Sequence, residues 1–339
     1  MDNNIKKRIR IAFSDFNKDF DQNHNFIMDM LQKRYDVELI IPKNDEERQR
    51  VDYLFYSYFG KEFFGYQCIR IFVTGENICP DFNLCDYAIG FEHMSFEDRY
   101  IRYPIFLWDI YREDYLKATA PRENVVPKDP QNRKFCSVVV SNNYLVEPSR
   151  EEIFRKISEY KRVDSGGRAF NNIGIPEGVK DKAAFISGYK FNIAYENSIY
   201  SGYTTEKIVQ AFAAGTIPIY AGDPRVDELF NPESFINANH LTSDQVVRMV
   251  KEIDQDEKAY LKMLFEPSLL DSDYSEKKDE ELRSWFYHIF DQDITVAYRR
   301  AKYGKIPAYE DNQRKKDKME KMIKKHQKVY KTIKKMVHI

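Results

Sequence analysis

Residues 189–224 read YKFNIAYENSIYSGYTTEKIVQAFAAGTIPIYAGDP and contain a strand, a helix and a second strand in succession. The first nine residues, 189–197, form an apolar run typical of a strand, and residues 204–215 have the apolar spacing of a helix. Another apolar run, 216–222, follows directly. This order predicts two parallel strands that are joined by a crossover helix.

The same alternation runs through the rest of the chain. Apolar runs rich in β-branched and aromatic residues are typical of parallel strands that are buried on both faces. Such runs predict strands at 9–16, 37–42, 51–57, 69–76, 86–91, 134–143 and 235–240, with helices at 25–35, 150–162, 242–264 and 275–291. We therefore predict an α/β protein with two doubly wound domains.

The chain is long enough for two domains of ordinary size, and changes in composition mark their limits. Residues 112–133 contain three prolines and many charges, and we predict that they link the domains. The predicted domains are residues 1–132 and 133–293. The remaining residues, 294–339, are predicted to form a helical, basic tail.

Composition argues against several classes of protein. Hydrophobic residues are 42% and charged residues 32% of the chain, which is normal for a globular protein. The net charge of −1 gives no general attraction for nucleic acid, and no apolar run approaches the roughly 20 residues that span a bilayer. The N-terminus lacks a signal-peptide core, and the four cysteines lack paired CxxC spacing. We expect reduced cysteines and a cytoplasmic location.

The segment YENSIYSGYTTEK, residues 195–207, places polar side chains where a strand meets a helix. Parallel sheets bind ligands at this edge, beside the N-termini of helices. Thr204 or Thr205 can cap the helix. Lys207, in the first turn, is unfavourable against the helix dipole and therefore indicates a bound anion. The alternative interpretation is that TTEK is a capping box with a solvated lysine.

Two further candidates are Arg168 and Glu76. Arg168 follows paired glycines in SGGR, and an arginine, a lysine and a helix N-terminus together would hold a diphosphate; a surface loop residue is the alternative. The motif has the order neither of a P-loop nor of a dinucleotide-binding fold. Glu76, in TGEN, follows a strand of the first domain, where a carboxylate can take a proton from an attacking hydroxyl or can pair with a nearby cation.

The sequence resembles glycosyltransferase family 10, the GDP-fucose-dependent α-1,3/4-fucosyltransferases, in its bacterial branch. The resemblance covers about residues 8–291 and is carried by residues 189–224, by TGENICPDFNLCDYAIGF at 74–91 and by VSNN at 140–143. It implies the GT-B architecture, in which two Rossmann-like domains face each other. The N-terminal domain is then expected to bind the acceptor sugar and the C-terminal domain GDP-fucose.

The resemblance also implies roles for individual residues. Glu76 matches the proposed general base of the family, and Glu206 matches an essential carboxylate close to the nucleotide sugar. Arg168 and Lys207 match the pair that holds the donor diphosphate. Further positions on the donor side are Tyr203, Glu196, Asn197, Asn142, Ser141 and Tyr189.

The implied reaction inverts the anomeric carbon of L-fucose and transfers the sugar to a glycan hydroxyl, with Glu76 as general base. We expect an α-1,3 linkage to the GlcNAc of an N-acetyllactosamine-type acceptor, with Glu92 and His93 on the acceptor side, although related bacterial chains often carry a carboxylate at His93. No DxD pair or His/Cys cluster is placed to bridge a diphosphate, so no metal or other cofactor is expected to be required. The alternatives are a transferase for another nucleotide sugar and a non-catalytic protein that binds nucleic acid through its tail.

The tail, residues 311–339, carries 11 Lys+Arg and 3 Asp+Glu, a net charge of +8 in a chain of net charge −1. A basic helix with an apolar stripe favours an anionic membrane surface; packing on the body of the protein or on a partner is the alternative. We expect residues 1–310 to form the active enzyme and the tail to attach it to the inner face of the cell membrane. The apolar stripe comprises Met319, Met322, Ile323, Tyr330, Ile333 and Val337.

Overall fold

The computed structural model describes residues 6–142 and 146–336, and two parallel sheets organise them. The strands of the first sheet are β1 (Arg8–Ser14), β2 (Asp36–Leu39), β3 (Tyr53–Tyr56), β4 (Ile69–Val73), β5 (Tyr87–Gly90) and β6 (Tyr100–Arg102). They pair in the order β2-β1-β3-β4-β5-β6, and each neighbouring pair is parallel. Every residue of β3, β4 and β5 is buried, which explains their uninterrupted apolar sequences.

The second sheet follows in the chain and has the same parallel character. Its strands are β7 (Lys134–Val138), β8 (Val163–Ser165), β9 (Tyr189–Ile193), β10 (Ile217–Tyr220) and β11 (Ile236–Asn237). Their order is β11-β10-β9-β7-β8. Two parallel sheets in sequence confirm the predicted α/β class.

Helices connect the strands and cover the sheets. They are α1 (Phe26–Gln32), α2 (Asp45–Arg48), α3 (Asp109–Thr119), α4 (Ser149–Tyr160), α5 (Lys182–Ser187), α6 (Glu206–Ala213), α7 (Ser243–Gln255), α8 (Glu257–Phe265), α9 (Tyr274–Asp291), α10 (Ile294–Ala297) and α11 (Lys305–Met336). The helix predicted over 242–264 is divided at Asp256, whose side chain accepts a hydrogen bond from Ala259 and caps α8.

Residues 112–133, which were predicted to link the two domains, are largely folded. All of the first eight residues, 112–119, belong to α3, which packs along α6 of the second domain. Arg122, further along, is buried and donates hydrogen bonds to the carbonyl oxygens of Phe212 and Leu264. Prolines and charges therefore mark a folded, tightly packed connection here, because the charged groups have backbone acceptors inside the protein.

Helix α9 lies after the second sheet in the chain but packs on the first. The ring of Phe290 lies 4.2 Å from that of Tyr53, measured between centroids, and Phe286 contacts Phe55 edge-on. The predicted boundary at residue 293 assigns this helix to the second domain, whereas its buried face completes the core of the first.

The tail helix α11 begins at Lys305, six residues before the predicted start, and its first turns are attached to the first domain. The Glu310 carboxylate lies 2.9 Å from Arg70 and 3.3 Å from Arg300, two side chains that are almost fully buried. A chain ending at residue 310 would keep Glu310 but lose the rest of α11, and the expectation that residues 1–310 form the active enzyme stays a prediction. Asp317, one turn or more further on, pairs with Lys61 of the first domain.

Part of the apolar stripe of α11 remains uncovered. Met319, Met322 and Ile323 are 62%, 60% and 54% exposed. The side chains of Tyr330 and Ile333, and the whole of Val337, lie outside the described part of the structure. Among the described residues, no helix is long and apolar enough to cross a membrane.

Candidate active site

A cavity of about 310 Å³ lies between the carboxyl ends of the two sheets. Strand β4 leads into one wall, β7 and β9 lead into another, and the N-terminus of α6 forms a third. Carboxyl ends of parallel strands meet at one edge of each sheet, so residues far apart in sequence converge here. The lining residues include Gly75, Glu76, Tyr111, Ser141, Asn142, Arg150, Lys182, Asn197, Tyr203, Thr205, Glu206 and Lys207.

The carboxylate of Glu196 is fully buried beneath the start of α6. It accepts hydrogen bonds from the Thr205 backbone N–H at 2.7 Å, the Thr205 hydroxyl at 2.6 Å and the Lys207 Nζ at 2.7 Å. The exposed fraction of the Lys207 side chain is only 16%. The alternative of a capping box with a solvated lysine is therefore wrong.

Lys207 keeps its charge in this environment. Burial disfavours the ammonium, but the neighbouring carboxylates of Glu196 and Glu206 outweigh it and raise the pKa of Lys207. Burial likewise disfavours the Glu206 carboxylate, and the charges of Lys207 and Lys182 outweigh it and lower the pKa of Glu206. The start of α6 thus presents a fixed pattern of full charges to the cavity.

Glu76 lies on the opposite wall, in the turn that follows β4. Its backbone N–H donates a hydrogen bond to the Thr74 hydroxyl oxygen at 3.1 Å, which fixes the turn. The Tyr203 hydroxyl of the second domain donates to Glu76 Oε2 at 3.4 Å. Within the described ranges no lysine or arginine forms an ion pair with Glu76, so the alternative of a carboxylate paired with a cation finds no support there.

Tyr203 reaches Glu76 because the backbone before it approaches the first domain closely. Gly202 has φ of +84°, and a Cβ atom there would lie 2.3 Å from the carbonyl oxygen of Phe91. Only glycine fits both requirements. Burial raises the pKa of the Tyr203 phenol, which therefore stays protonated and acts as a donor.

Arg150 connects the two loops of the second sheet that line the cavity. It donates to Asn197 Oδ1 at 2.7 Å and to the carbonyl oxygen of Tyr195 at 3.0 Å, and more weakly to that of Asn142. Its guanidinium is buried and its Nε lacks a hydrogen-bond partner in the described residues. The sequence prediction missed this residue.

The apolar spacing of helix α4 could have indicated that Arg150 is buried. Arg150 is in phase with Ile153 and Ile157, the apolar residues that the helix buries. An arginine on the buried face of an amphipathic helix indicates a specific internal partner. Lys182 and Tyr111, which also line the cavity, lie in segments whose sequence carries no comparable signal.

Arg168 does not line the cavity. It is exposed, in the loop that follows β8. The preceding Gly167 packs against the end of β7, where a Cβ atom would lie 1.9 Å from the carbonyl oxygen of Val140. The structure therefore places Arg168 close to the chain that enters the cavity wall, and its contact with a donor remains a prediction.

Tyr189 lies apart from the candidate site. It is the first residue of β9, at the amino end of the strand, and its hydroxyl donates to Asp164 at 2.8 Å. The prediction of a donor contact for Tyr189 is not supported, because the cavity lies at the carboxyl end of the sheet.

The two residues predicted on the acceptor side also lie elsewhere. Glu92 is buried and accepts a hydrogen bond from the Tyr100 hydroxyl at 3.0 Å. His93 lines a separate cavity of about 270 Å³, together with Thr204 and Asp223. Because side chains alternate along 203–205, Thr204 faces that cavity while its neighbours face the first. Glu92 and His93 are therefore not at the place where an acceptor would meet Glu76.

A larger cavity, of about 430 Å³, adjoins the first and lies wholly in the N-terminal domain. Gly75, Glu76, Ile105 and Tyr111 line both cavities. Aromatic rings dominate the second, with polar groups between them. Its aromatic lining residues are Phe16, Phe20, Phe26, Tyr58, Phe59, Trp108 and Tyr111.

No arrangement suited to a metal ion is found in the described ranges. No group of three or more His, Cys, Asp or Glu side chains there is placed to hold one. In the DSD sequence at 271–273, the Asp271 carboxylate forms an ion pair with Lys277 at 2.8 Å. That catalysis needs no metal remains a prediction.

Two parallel-sheet domains with a charged cavity between their carboxyl ends define the class of GT-B proteins. The comparison with known proteins narrows the class. The N-terminal domain of alpha-(1,3)-fucosyltransferases matches residues 11–111, and the C-terminal domain of glycosyltransferase family 10 (fucosyltransferase) matches residues 129–266. The chain belongs to glycosyltransferase family 10, the fucosyltransferases.

Individual relatives support this assignment. An alpha-(1,3)-fucosyltransferase of Helicobacter pylori is 36% identical over 229 residues, which are 59% of this chain and 47% of that protein. The chain thus spans about half the length of this curated relative. A crystal structure of an alpha1,3-fucosyltransferase with GDP has a TM-score of 0.74 and 30% identity, over 89% of this chain and 95% of the other. A crystal structure with GDP-fucose has a TM-score of 0.71 and 28% identity, over 86% and 93%.

Proposed function

We propose that the protein transfers L-fucose from GDP-fucose to a hydroxyl of an acceptor glycan with inversion at the anomeric carbon, forming an α-1,3 linkage to the GlcNAc of an N-acetyllactosamine-type acceptor. The observation that carries the proposal is the position of Glu76, which lines both the charged cavity and the aromatic cavity. A general base for glycosyl transfer has to contact the acceptor hydroxyl close to the donor sugar. Membership of the family and the solved relatives with GDP and GDP-fucose support the donor.

The donor occupies the charged cavity in this proposal. Lys207 and the free N–H groups at the start of α6 stabilise the charge that develops on the departing diphosphate. Glu206 faces the same cavity and is suited to a sugar or ribose hydroxyl, or to the positive charge that develops on the fucose ring. Arg168, Asn142, Ser141 and Asn197 are proposed as further donor contacts, and Glu196 acts through Lys207.

The acceptor occupies the aromatic cavity. Flat rings cover the apolar faces of sugars, and the carboxylates and amides between them can bind hydroxyl groups. An acceptor bound there presents a hydroxyl to Glu76, which removes its proton as the hydroxyl oxygen attacks the anomeric carbon from the side opposite the diphosphate. The C–O bond to GDP breaks in the same step.

The choice of nucleotide distinguishes this proposal from a transferase for another sugar nucleotide. Transfer should be inhibited by GDP and not by UDP at equal concentration, with the purified chain and an N-acetyllactosamine acceptor. Equal inhibition by UDP would contradict the proposed donor. Salt-dependent binding to nucleic acid that survives a Glu76 substitution would favour the non-catalytic alternative.

We also propose that α11 attaches the enzyme reversibly to an anionic membrane on its cytoplasmic side. The exposed Met319, Met322 and Ile323 lie on a helix with a large excess of lysine, and each basic residue near such a surface contributes roughly 1 kcal/mol. Cosedimentation with phosphatidylserine-containing vesicles tests this. The triple substitution of these residues by serine should abolish binding at low salt, whereas Tyr303→Ser, which removes another large exposed side chain, should not.

Equal cosedimentation of the triple variant and the unaltered chain would contradict membrane attachment through this stripe. So would the absence of binding by both.

A further inference from the structure

The charged cavity contains a third cation, Lys182, that neither the sequence motifs nor the family resemblance singled out. Lys182 is the first residue of α5, and its side chain lines the cavity beside Glu206 and Lys207. Its Nζ donates to Gln210 Oε1 at 2.6 Å. An ammonium group has three donors, so this contact leaves two for a ligand.

The charges of Lys182 and Lys207 are balanced differently. Lys207 forms an ion pair with the buried carboxylate of Glu196 at 2.7 Å. Lys182 forms no ion pair within the described ranges, and its contact with Gln210 is with a neutral oxygen. Burial lowers the pKa of Lys182, since it takes the ammonium away from water without a direct counterion. A partly buried cation without a direct counterion is stabilised by an anionic ligand.

Gln210, the hydrogen-bond partner of Lys182, is itself bonded to a residue of the other domain. Gln210 Nε2 donates to Asp114 Oδ2 at 2.9 Å, and Asp114 belongs to α3 of the N-terminal half. The bond fixes which end of the Gln210 amide faces Lys182, because its Nε2 is occupied by the carboxylate and its oxygen turns to the lysine. Asp114 thereby orients Lys182 through Gln210.

We propose that Lys182 binds the diphosphate of the donor, and that Asp114 and Gln210 are positioning residues that hold its ammonium toward the cavity. The inference rests on the proposed function, since it assigns a ligand to a residue of the donor cavity. It supplies a cation that is free of a carboxylate partner, which Lys207 is not. It also makes the donor site dependent on a contact between the two domains.

The test measures inhibition of fucose transfer by GDP and by guanosine. Lys182→Met should raise the inhibition constant of GDP and the KM for GDP-fucose by roughly 10- to 100-fold, the range for a lost charged hydrogen bond. The inhibition constant of guanosine, which has no phosphate, should stay unchanged. Lys180→Met, at an exposed lysine two residues away, is the matched control and should behave as the unaltered chain.

A separate kinetic measurement tests the positioning role of Asp114. Asp114→Ala should raise the KM for GDP-fucose severalfold with little change in kcat, and should have no further effect in the Lys182→Met background, since coupled residues are not additive. Lys182→Arg should recover part of the lost GDP affinity because it restores the charge.

Unchanged GDP inhibition in Lys182→Met, or an equal loss for guanosine and GDP, would overturn the proposal. An additive effect of Asp114→Ala would remove the positioning role. If GDP fails to inhibit the unaltered chain, the donor assignment itself is wrong rather than the role of Lys182.

Discussion

The Tyr203 hydroxyl donates to the Glu76 carboxylate at 3.4 Å and thereby joins the two domains at the point where the two cavities meet. Tyr203 precedes α6, which carries the charged donor groups, and Glu76 follows β4 on the acceptor side. The contact orients a carboxylate that has no cationic partner in the described ranges. A base in this position is held in place without being neutralised by a positive charge.

Substitution of the base should separate catalysis from binding. Glu76→Gln keeps the shape of the side chain and its acceptor oxygen but cannot remove a proton at neutral pH. We expect transfer to fall by about 10²- to 10⁴-fold, the usual contribution of general base catalysis, with an unchanged dissociation constant for GDP by calorimetry. Glu97→Gln, in an exposed loop of the same domain, serves as control. Substantial transfer by Glu76→Gln would remove Glu76 from the base role.

Lys207→Met should weaken donor binding. The lost charge-assisted contact corresponds to about 1.5–3 kcal/mol, seen as a higher KM for GDP-fucose and weaker inhibition by GDP. The variant also leaves the buried Glu196 without its cation, so thermal stability is measured in parallel, and Lys207→Met with Glu196→Gln should recover stability but not donor affinity. Normal GDP affinity in the single variant would place the diphosphate elsewhere.

Even the conservative substitution Arg150→Lys should impair the protein. Its guanidinium bonds the Asn197 side chain and the Tyr195 carbonyl together, and one ammonium cannot reproduce that geometry. We expect Arg150→Lys to lower the melting temperature and to raise the KM for GDP-fucose. Arg155→Lys, on the exposed face of the same helix, should change neither. Equal behaviour of the two variants would show that the bridge between the loops is unimportant.

The attachment of α11 should contribute measurably to stability. Glu310→Ala leaves the nearly buried guanidinium groups of Arg70 and Arg300 without this carboxylate, a loss expected to cost about 3–5 kcal/mol. Denaturant unfolding measures the change. Asp311→Ala removes only an exposed pair with Lys315 and should cost less than about 1 kcal/mol. A similar, small effect of both substitutions would mean that α11 is not part of the stable core.

The Glu310 carboxylate determines the direction in which the stability of the fold changes with pH. Burial alone would raise the pKa of Glu310, but the hydrogen bond and charge of Arg70 outweigh it, and the pKa is lowered. A lowered carboxyl pKa stabilises the fold above the unfolded-state value and loses that contribution as pH falls through the folded-state value. The stability difference between the unaltered chain and Glu310→Ala should therefore shrink in acid; a difference that grows would contradict this ion cluster.

Removal of metal ions should leave activity intact. Lysine and the N-terminus of α6 supply the positive charge that a metal would otherwise bring to a diphosphate. Transfer should be unchanged in excess EDTA after dialysis against chelator. Complete loss that is restored by magnesium or manganese would show that a metal is required.

Sequence patterns predicted the sheets well because buried parallel strands carry long apolar runs. They singled out Glu76 by its place after a strand and Lys207 by its place in the first turn of a helix, whereas Glu206 was named from the family resemblance alone. Sequence patterns failed where the structure depends on contacts between residues that are far apart in the chain. Charges and prolines in 112–133 predicted a linker but did not reveal that Arg122 has carbonyl partners inside the fold. Lys182 lines the cavity and donates to Gln210, a contact between residues 28 positions apart that no local pattern reveals.

The aromatic cavity could not be predicted either, since its rings come from the loops after β1 and β3, from the start of α1 and from the start of α3. Each ring alone resembles an ordinary core residue. Glu92 and His93, which directly follow the matching block 74–91, were assigned to the acceptor side through the family resemblance, and neither lines a cavity with Glu76.

The most direct test is the structure of the product made by the purified chain from GDP-fucose and N-acetyllactosamine, determined by NMR. The account predicts one fucose, α-linked to O3 of the GlcNAc residue, with GDP released in equal amount and product formed about 10²- to 10⁴-fold more slowly by Glu76→Gln. A β-linked fucose, which would mean retention or another donor anomer, or full product formation by Glu76→Gln, would contradict it.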